Sequence, residues 1–359
     1  MAFITLDSQK LKTNFDYLYK LFKKKNIDWA VVTKMLSGNR LFLNELLKLD
    51  IKQVADSRVS NLKTIKSINP NVETIYIKPP AKRSISSIVK YADISLNTEI
   101  ETIKRLSEEA QKQNKTHKVI IMIELGELRE GVMGDDFMSF YERVFKLNNI
   151  KVVGVGTNLT CLYGVLPNQD KLIQLCLYEQ LVESRFNQQI SYVSGGTSVT
   201  IPLIFQNMLP KGINHFRVGE TLFLGTDVYS DGKINEMQND AFSLYSEIIE
   251  LIEKPIVPNG DLGTNLEGHS LDFDEENIGK TSYRAIIDLG LLDADVNHLS
   301  LKDKSLKISG ASSDVTVLDL GDNRNNYKVG DLVEFEMDYM GTLRIMNSNY
   351  IDKKVINEL

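Results

Sequence analysis

Three separated stretches of this chain carry residue types that would serve one piece of chemistry. Lys34 follows the apolar run Trp29-Ala30-Val31-Val32. The stretch Ser194-Gly195-Gly196-Thr197-Ser198 is rich in glycine and hydroxyl. A third, Phe216-Arg217-Val218-Gly219-Glu220, sets an arginine beside another glycine. Stripping water from an ammonium is costly, so a lysine delivered by a core strand either reaches solvent or is put to use. Glycines after a strand let the backbone approach a ligand, and hydroxyls with the free N–H groups of a following helix suit a phosphate. A lysine and a phosphate cradle at one site suggest a phosphorylated aldehyde held as a Schiff base. Pyridoxal phosphate fits that description.

Each stretch taken singly has an ordinary reading, as a surface lysine, a loop or a salt bridge. The elements that carry them change the balance. Through about residue 225, β-branched runs occur near 28–33, 51–55, 73–78, 93–97, 118–125, 150–158, 190–194 and 214–218. Helical stretches such as Leu41–Leu49, Glu99–Gln113, Asp136–Leu147, Asp170–Ser184 and Thr197–Gln206 lie between them. Strand then helix, eight times, predicts an α/β fold, a (β/α)8 TIM-type barrel rather than a doubly wound open sheet. In a barrel the carboxyl ends of the strands face one mouth. Those ends read Lys34, Asp56-Ser57-Arg58, Lys78, Asn97, Glu124 to Arg129, Thr157-Asn158, SGGTS and Arg217 to Glu220. The last two flank the loops where barrels hold phosphate groups.

After about residue 230 the rhythm changes. Segments 241–254, 281–288, 305–309, 314–319, 332–337 and 342–348 read as strands, which predicts a C-terminal, mostly β domain. The expected division is a pyridoxal-phosphate-binding barrel over 1–230 and a β domain over 231–359, with the strand at 2–6 a candidate to join the latter. At 359 residues, 42% apolar and 25% charged, the chain is long enough for two such cores. A net charge of −6 argues against a nucleic-acid surface, and the run Lys23-Lys24-Lys25 reads as a solvated helix end. No apolar stretch has the length of a membrane span, and the N-terminus lacks a signal peptide pattern, so a cytoplasmic location is expected. Two cysteines and four scattered histidines make no metal spacing.

Several ordered motifs together carry a family resemblance. AVVTK, IELGELREGV, GVGTNLTC, SGGTS, FRVGETLFLGTD and ISGASSDVTVLDL resemble the alanine racemase family, the fold type III pyridoxal-phosphate enzymes. Within it the chain is most similar to the alanine/ornithine racemase branch. The resemblance implies racemisation of a free amino acid (alanine, ornithine or a related basic one) through a Schiff base and α-proton transfer. It implies that Lys34 holds the cofactor and acts as one racemising base. Arg129 would contact the phenolic oxygen, and Ser194, Gly196, Thr197 and Ser198 would form the phosphate loop, with Gly219 and Glu220 as further donors. Arg217 would face the pyridine nitrogen. An arginine keeps its proton and offers no acceptor, so the ring nitrogen would stay unprotonated, disfavouring transamination.

Departures from the family are informative too. Asn158 stands where alanine racemases place a histidine, and Met122 where some carry a carbamylated lysine. The tyrosine that serves as the second base from the partner subunit is missing. Asp314 and Tyr283 are the first candidates to replace it, with Tyr339, Tyr350 and Asp261 also open. A homodimer with shared sites is implied, Ser313 and Asp314 lying near the partner's substrate. Two other readings compete: a decarboxylase or aldolase on the same fold, and a non-catalytic pyridoxal-phosphate homeostasis protein. The long β-rich segment counts against the second.

Overall fold

The computed structural model describes residues 2–264, 268, 270 and 273–356; His269 lies outside the described residues. The chain folds as two compact units. One is Ser8–Asn239, and the other combines the described parts of 1–7 and 240–359.

The first strand, β1 (Phe3–Asp7), belongs to the second unit. The first unit holds β2 (Asp28–Val32), β3 (Gln53–Asp56), β4 (Glu73–Tyr76), β5 (Ile94–Asn97), β6 (His117–Met122), β7 (Ile150–Gly156), β8 (Tyr192–Ser194), β9 (Gly196–Thr197) and β10 (His215–Val218). They pair in parallel, in the order β8-β7-β6-β5-β4-β3-β2-β10-β9. β8 and β9 are one strand bent at Gly195. Its first half pairs with β7 and its second with β10, so the ring of eight closes through the bend. The barrel read from the sequence is the fold observed. The strands are buried on both faces, which is why they read as continuous apolar runs rather than as alternation. Ala30, Val32, Ala55, Ile75, Leu96, Ile120, Met122 and Val153 pack into a single core cluster. The preceding helix Ser8–Lys25 buries Leu11, Phe15, Leu18 and Phe22 at helical spacing. It ends in the three exposed lysines, where cations suit the helix dipole.

The second unit is a mostly antiparallel sheet. Its longest strand, Phe242–Pro255, pairs with β1, Thr281–Ile287 and Leu332–Met337. Thr281–Ile287 continues to Thr316–Asp319 and then Lys307–Ala311. One sequence reading fails here. Residues 342–348, expected as a strand, instead form the end of the helix Tyr339–Asn347 and its C-cap, Ser348. Asp338 caps it, its carboxylate accepting from the Gly341 N–H at 2.8 Å. The buried positions Gly341, Thr342, Ile345 and Met346 fall at helical spacing. A short apolar run does not separate helix from strand, and the cap was the overlooked signal.

Two buried histidines give the barrel an acid limit. His117 lies 2.8 Å from the Ser95 hydroxyl, and burial holds its ring down at about 4. His215 is fully buried, and burial followed by the nearby Arg217 charge holds it at about 3. Both values lie below the unfolded one near 6.5, so the unfolded chain takes up protons first as pH falls. Stability should be full above about pH 7 and fall by about 3 kcal/mol between pH 7 and 5. Urea midpoints at those two pH values test this; equal midpoints would refute it.

Candidate active site

Strand register brings the three chemical stretches together. β10 lies between β2 and β9, with Val218 opposite Val31 and Arg217 opposite Thr197. Parallel neighbours end on the same side. Lys34, the turn Gly219-Glu220-Thr221 and the pair Thr197-Ser198 therefore leave adjacent strands at the carboxyl end of the barrel.

Lys34 is exposed and opens a short turn, Lys34–Leu36. The residue before it is fixed. Thr33 is buried, its N–H donates to the Ala55 carbonyl at 2.9 Å, and its hydroxyl donates to Asp56 Oδ2 at 2.8 Å. Asp56 also accepts from the Arg58 N–H at 2.8 Å and from Asn61 Nδ2 at 3.1 Å. Burial pushes the Asp56 carboxyl up, and these hydrogen bonds oppose that.

The hydroxyl loop and the turn after β10 are tied to each other. Ser198 Oγ accepts from the N–H groups of Gly219 at 3.4 Å and Thr221 at 3.3 Å. Thr197 and Thr200 exchange bonds in a reciprocal cap, the Thr197 N–H donating to Thr200 Oγ1 at 3.1 Å. Two of the glycines are required by close approach. A Cβ on Gly219 would stand 2.9 Å from the Val32 carbonyl oxygen, and one on Gly196 would strike the Phe216 ring at 2.2 Å. Glu220 opens the helix Glu220–Leu224.

Arg217 is 6% exposed. Its Nη1 donates to the Ser194 carbonyl at 2.8 Å and to the Ser194 hydroxyl, and its Nη2 donates to the Thr157 carbonyl at 2.7 Å. Burial pulls its guanidinium down to about 10, so it keeps its charge at neutral pH. All three acceptors are uncharged, which sets Arg217 apart from a surface ion pair. Arg129 is different. It pairs with the carboxylate of Glu130, and Asn158 faces it, the amide oxygen turned by the network to accept from Nη2 at 2.5 Å.

Ser194, expected in the phosphate loop, is fully buried between Arg217 and His215. Two carboxylates near the mouth went unassigned in the sequence. Glu124 accepts from the N–H groups of Gly126 at 2.5 Å, Leu128 at 2.9 Å and Arg129 at 3.3 Å. Glu127, 1% exposed, accepts five backbone N–H groups of the loop after β7. These are Thr160 at 3.0 Å and Val165 at 3.1 Å on Oε2, with Cys161 at 2.8 Å, Leu162 at 2.5 Å and Tyr163 at 2.9 Å on Oε1. The partners of Glu127 are backbone groups more than thirty residues away, which no motif announces.

The candidates for a second base stand in the other unit. Tyr283, 37% exposed, lies on Thr281–Ile287. Asp314 is exposed in the turn before Thr316–Asp319 and accepts from the Ser313 hydroxyl at 2.8 Å. Tyr350 is 77% exposed, Asp261 is exposed, and Tyr339 opens the helix Tyr339–Asn347.

Residues 6–227 match the family model described as alanine racemase, N-terminal domain. The chain belongs to the alanine racemase family. It is 38% identical over 354 residues to the ornithine racemase of Acetoanaerobium sticklandii, spanning 98% of this chain and 99% of that one. It is 30% identical over 350 residues to the lysine racemase of Thermotoga maritima, spanning 98% and 97%. Among solved structures, the alanine racemase of Bartonella henselae with covalently bound pyridoxal phosphate superimposes with a TM-score of 0.73. The two share 15% identity over 99% of both chains.

Proposed function

We propose that this chain is a pyridoxal-phosphate-dependent racemase that interconverts the L and D forms of a basic amino acid, ornithine or lysine in type. The register of β2, β10 and β9 carries the reading. It sets an exposed lysine, a cradle of hydroxyls and N–H groups and a charged arginine at the ends of three adjacent strands. Near-full-length likeness to racemases of ornithine and lysine supports the substrate class.

The residues fit the cofactor. Lys34 offers the amine, the Thr197 and Ser198 hydroxyls offer phosphate donors, and the Gly219 and Thr221 N–H groups would join them by exchanging Ser198 Oγ for the phosphate. Arg217 has five N–H donors, of which three are bonded, leaving two. Arg129 and Asn158 line the mouth beside them. When bound, pyridoxal phosphate supplies the electron sink that stabilises a carbanion at the substrate α-carbon. Lys34 anchors that group and moves the α-proton on one face. Arg217, a permanent donor, would face the ring nitrogen and leave it unprotonated, which would discourage transamination.

The opposite face needs a second acid or base, and we assign it to Asp314 or Tyr283 of a second copy. A cytoplasmic homodimer of this kind would cover apolar side chains that otherwise meet water. Leu128, Met133, Leu162 and Tyr163 are exposed on the mouth loops, and Ile249, Ile252 and Ile278 on the β unit.

The test is exchange between enantiomers followed by chiral chromatography, on protein loaded with pyridoxal phosphate. Ornithine or lysine should be exchanged about tenfold more efficiently than alanine. Asp314→Asn or Tyr283→Phe should slow α-proton exchange from one enantiomer more than from the other. A loaded protein that releases carbon dioxide, or cleaves the substrate instead of inverting it, would overturn the reading.

A further inference from the structure

His215 takes no part in the chemistry above, yet its position is tied to Arg217. The two are separated by one residue on β10, so their side chains share a face of the sheet. Ser194 Oγ lies 2.7 Å from His215 Nδ1, and Gln53 Oε1 lies 3.0 Å from Nε2. The direction of each bond can be worked out from Gln53. Its amide nitrogen donates to Glu73 Oε2 at 2.6 Å and to the Tyr192 hydroxyl at 3.0 Å, so its oxygen is left to accept. His215 therefore donates from Nε2. Burial keeps the ring neutral, and a neutral imidazole has one donor and one acceptor. Nδ1 must accept, and the Ser194 hydroxyl must spend its only proton there. Only lone pairs remain on Ser194 Oγ to meet Arg217 Nη1.

The relay runs along the barrel. Gln53, Glu73 and Tyr192 are the first residues of β3, β4 and β8, and Glu73 is ion-paired to Lys118 at 2.6 Å. These three also line a cavity of about 470 Å³ at the amino end. Arg217 and the Thr157 carbonyl lie toward the other end, past His215.

We propose that His215 is a positioning residue for Arg217: as the Nε2–H tautomer it makes Ser194 Oγ an obligate acceptor and so locks the guanidinium in one orientation. Three N–H donors are then committed to Ser194 and Thr157 and two stay available. The consequence for catalysis rests on the proposed role of Arg217 at the ring nitrogen; the tautomer and the lock are properties of the chain alone. Without the lock the guanidinium can turn away, the ring nitrogen can gain a proton, and side transamination rises.

The experiment compares wild type, His215→Leu, His215→Asn and Ser194→Ala. Holoenzyme is scored for the ratio of transamination to racemisation turnovers, and unloaded protein for the His215 tautomer by nitrogen-15 NMR. Wild type should show the Nε2–H tautomer down to pH 5. His215→Leu and Ser194→Ala should raise the ratio by about tenfold. His215→Asn keeps an oxygen near the place of Nδ1 and should restore most of the wild-type ratio. A purely structural role would lower turnover with the folded fraction and leave the ratio unchanged, which would overturn the proposal. An Nδ1–H tautomer would overturn it as well. If wild type takes up no pyridoxal phosphate, the proposed function fails, and the tautomer alone decides for or against the lock.

Discussion

Lys34→Ala should abolish racemisation, by about 10⁴-fold or more, and leave protein that stays colourless with pyridoxal phosphate. In the proposed function two jobs fall on one amine, holding the cofactor and moving a proton at the substrate α-carbon, so both would be lost together. Lys34→Arg should fare no better. A guanidinium matches the charge, but it does not form the bond to the aldehyde and does not give up its proton near neutral pH. Stability should hardly change, because Lys34 is exposed while its local conformation is held by Thr33 and Asp56. The pair of measurements is a visible spectrum with added cofactor and a urea midpoint. A Lys34→Ala protein that racemises at a tenth of the wild-type rate would end the assignment. Failure to fold would show instead that Lys34 is part of the core.

The barrel was legible because its strands are buried on both faces and its helices on one, two patterns that are local in sequence. Lys34, Arg217 and the SGGTS loop were legible for a related reason: each sits at the end of a strand, so the order of elements places it at the mouth. What the sequence did not reveal depends on contacts between distant residues. His215 read as one of four scattered histidines, since its partners Gln53 and Ser194 come from other strands. Ser194 read as part of a phosphate loop, although the bend at Gly195 divides the strand and leaves Ser194 inside. The helix at Tyr339–Asn347 read as a strand because seven residues hold too little periodicity to decide, and only the Asp338 cap distinguishes the two. In each case burial and hydrogen bonding, rather than residue type, decide where the residue sits and what it bonds to.

Glu127 is the clearest such residue, and its loss should have the largest effect on the shape of the mouth. Burial opposes its ionisation, but the backbone N–H groups of residues 160–165 outweigh this and hold the carboxyl at about 2. The bonds hold strained backbone as well: Thr160 has φ of 59°, a region that a β-branched residue adopts only under constraint. In Glu127→Ala the loop has no acceptor left, so it should open to water rather than bury five unpaired donors. The expected cost is about 2–4 kcal/mol, seen as a melting point lower by about 5 °C or more. Glu127→Gln keeps one acceptor oxygen but turns an amide toward donors, so it should be nearly as damaging despite its matching shape. Because the folded carboxyl titrates below its unfolded value, wild type should keep this contribution above about pH 4.3 and lose it as pH falls toward 2. Hydrogen exchange at residues 160–165 is the direct reading: protected in wild type, fast in both variants. Asn158 begins this loop and faces Arg129, so KM for the substrate should rise as the loop loosens. Unchanged exchange in Glu127→Ala would mean that the loop is held by its apolar residues and that the carboxylate only fills a space they create.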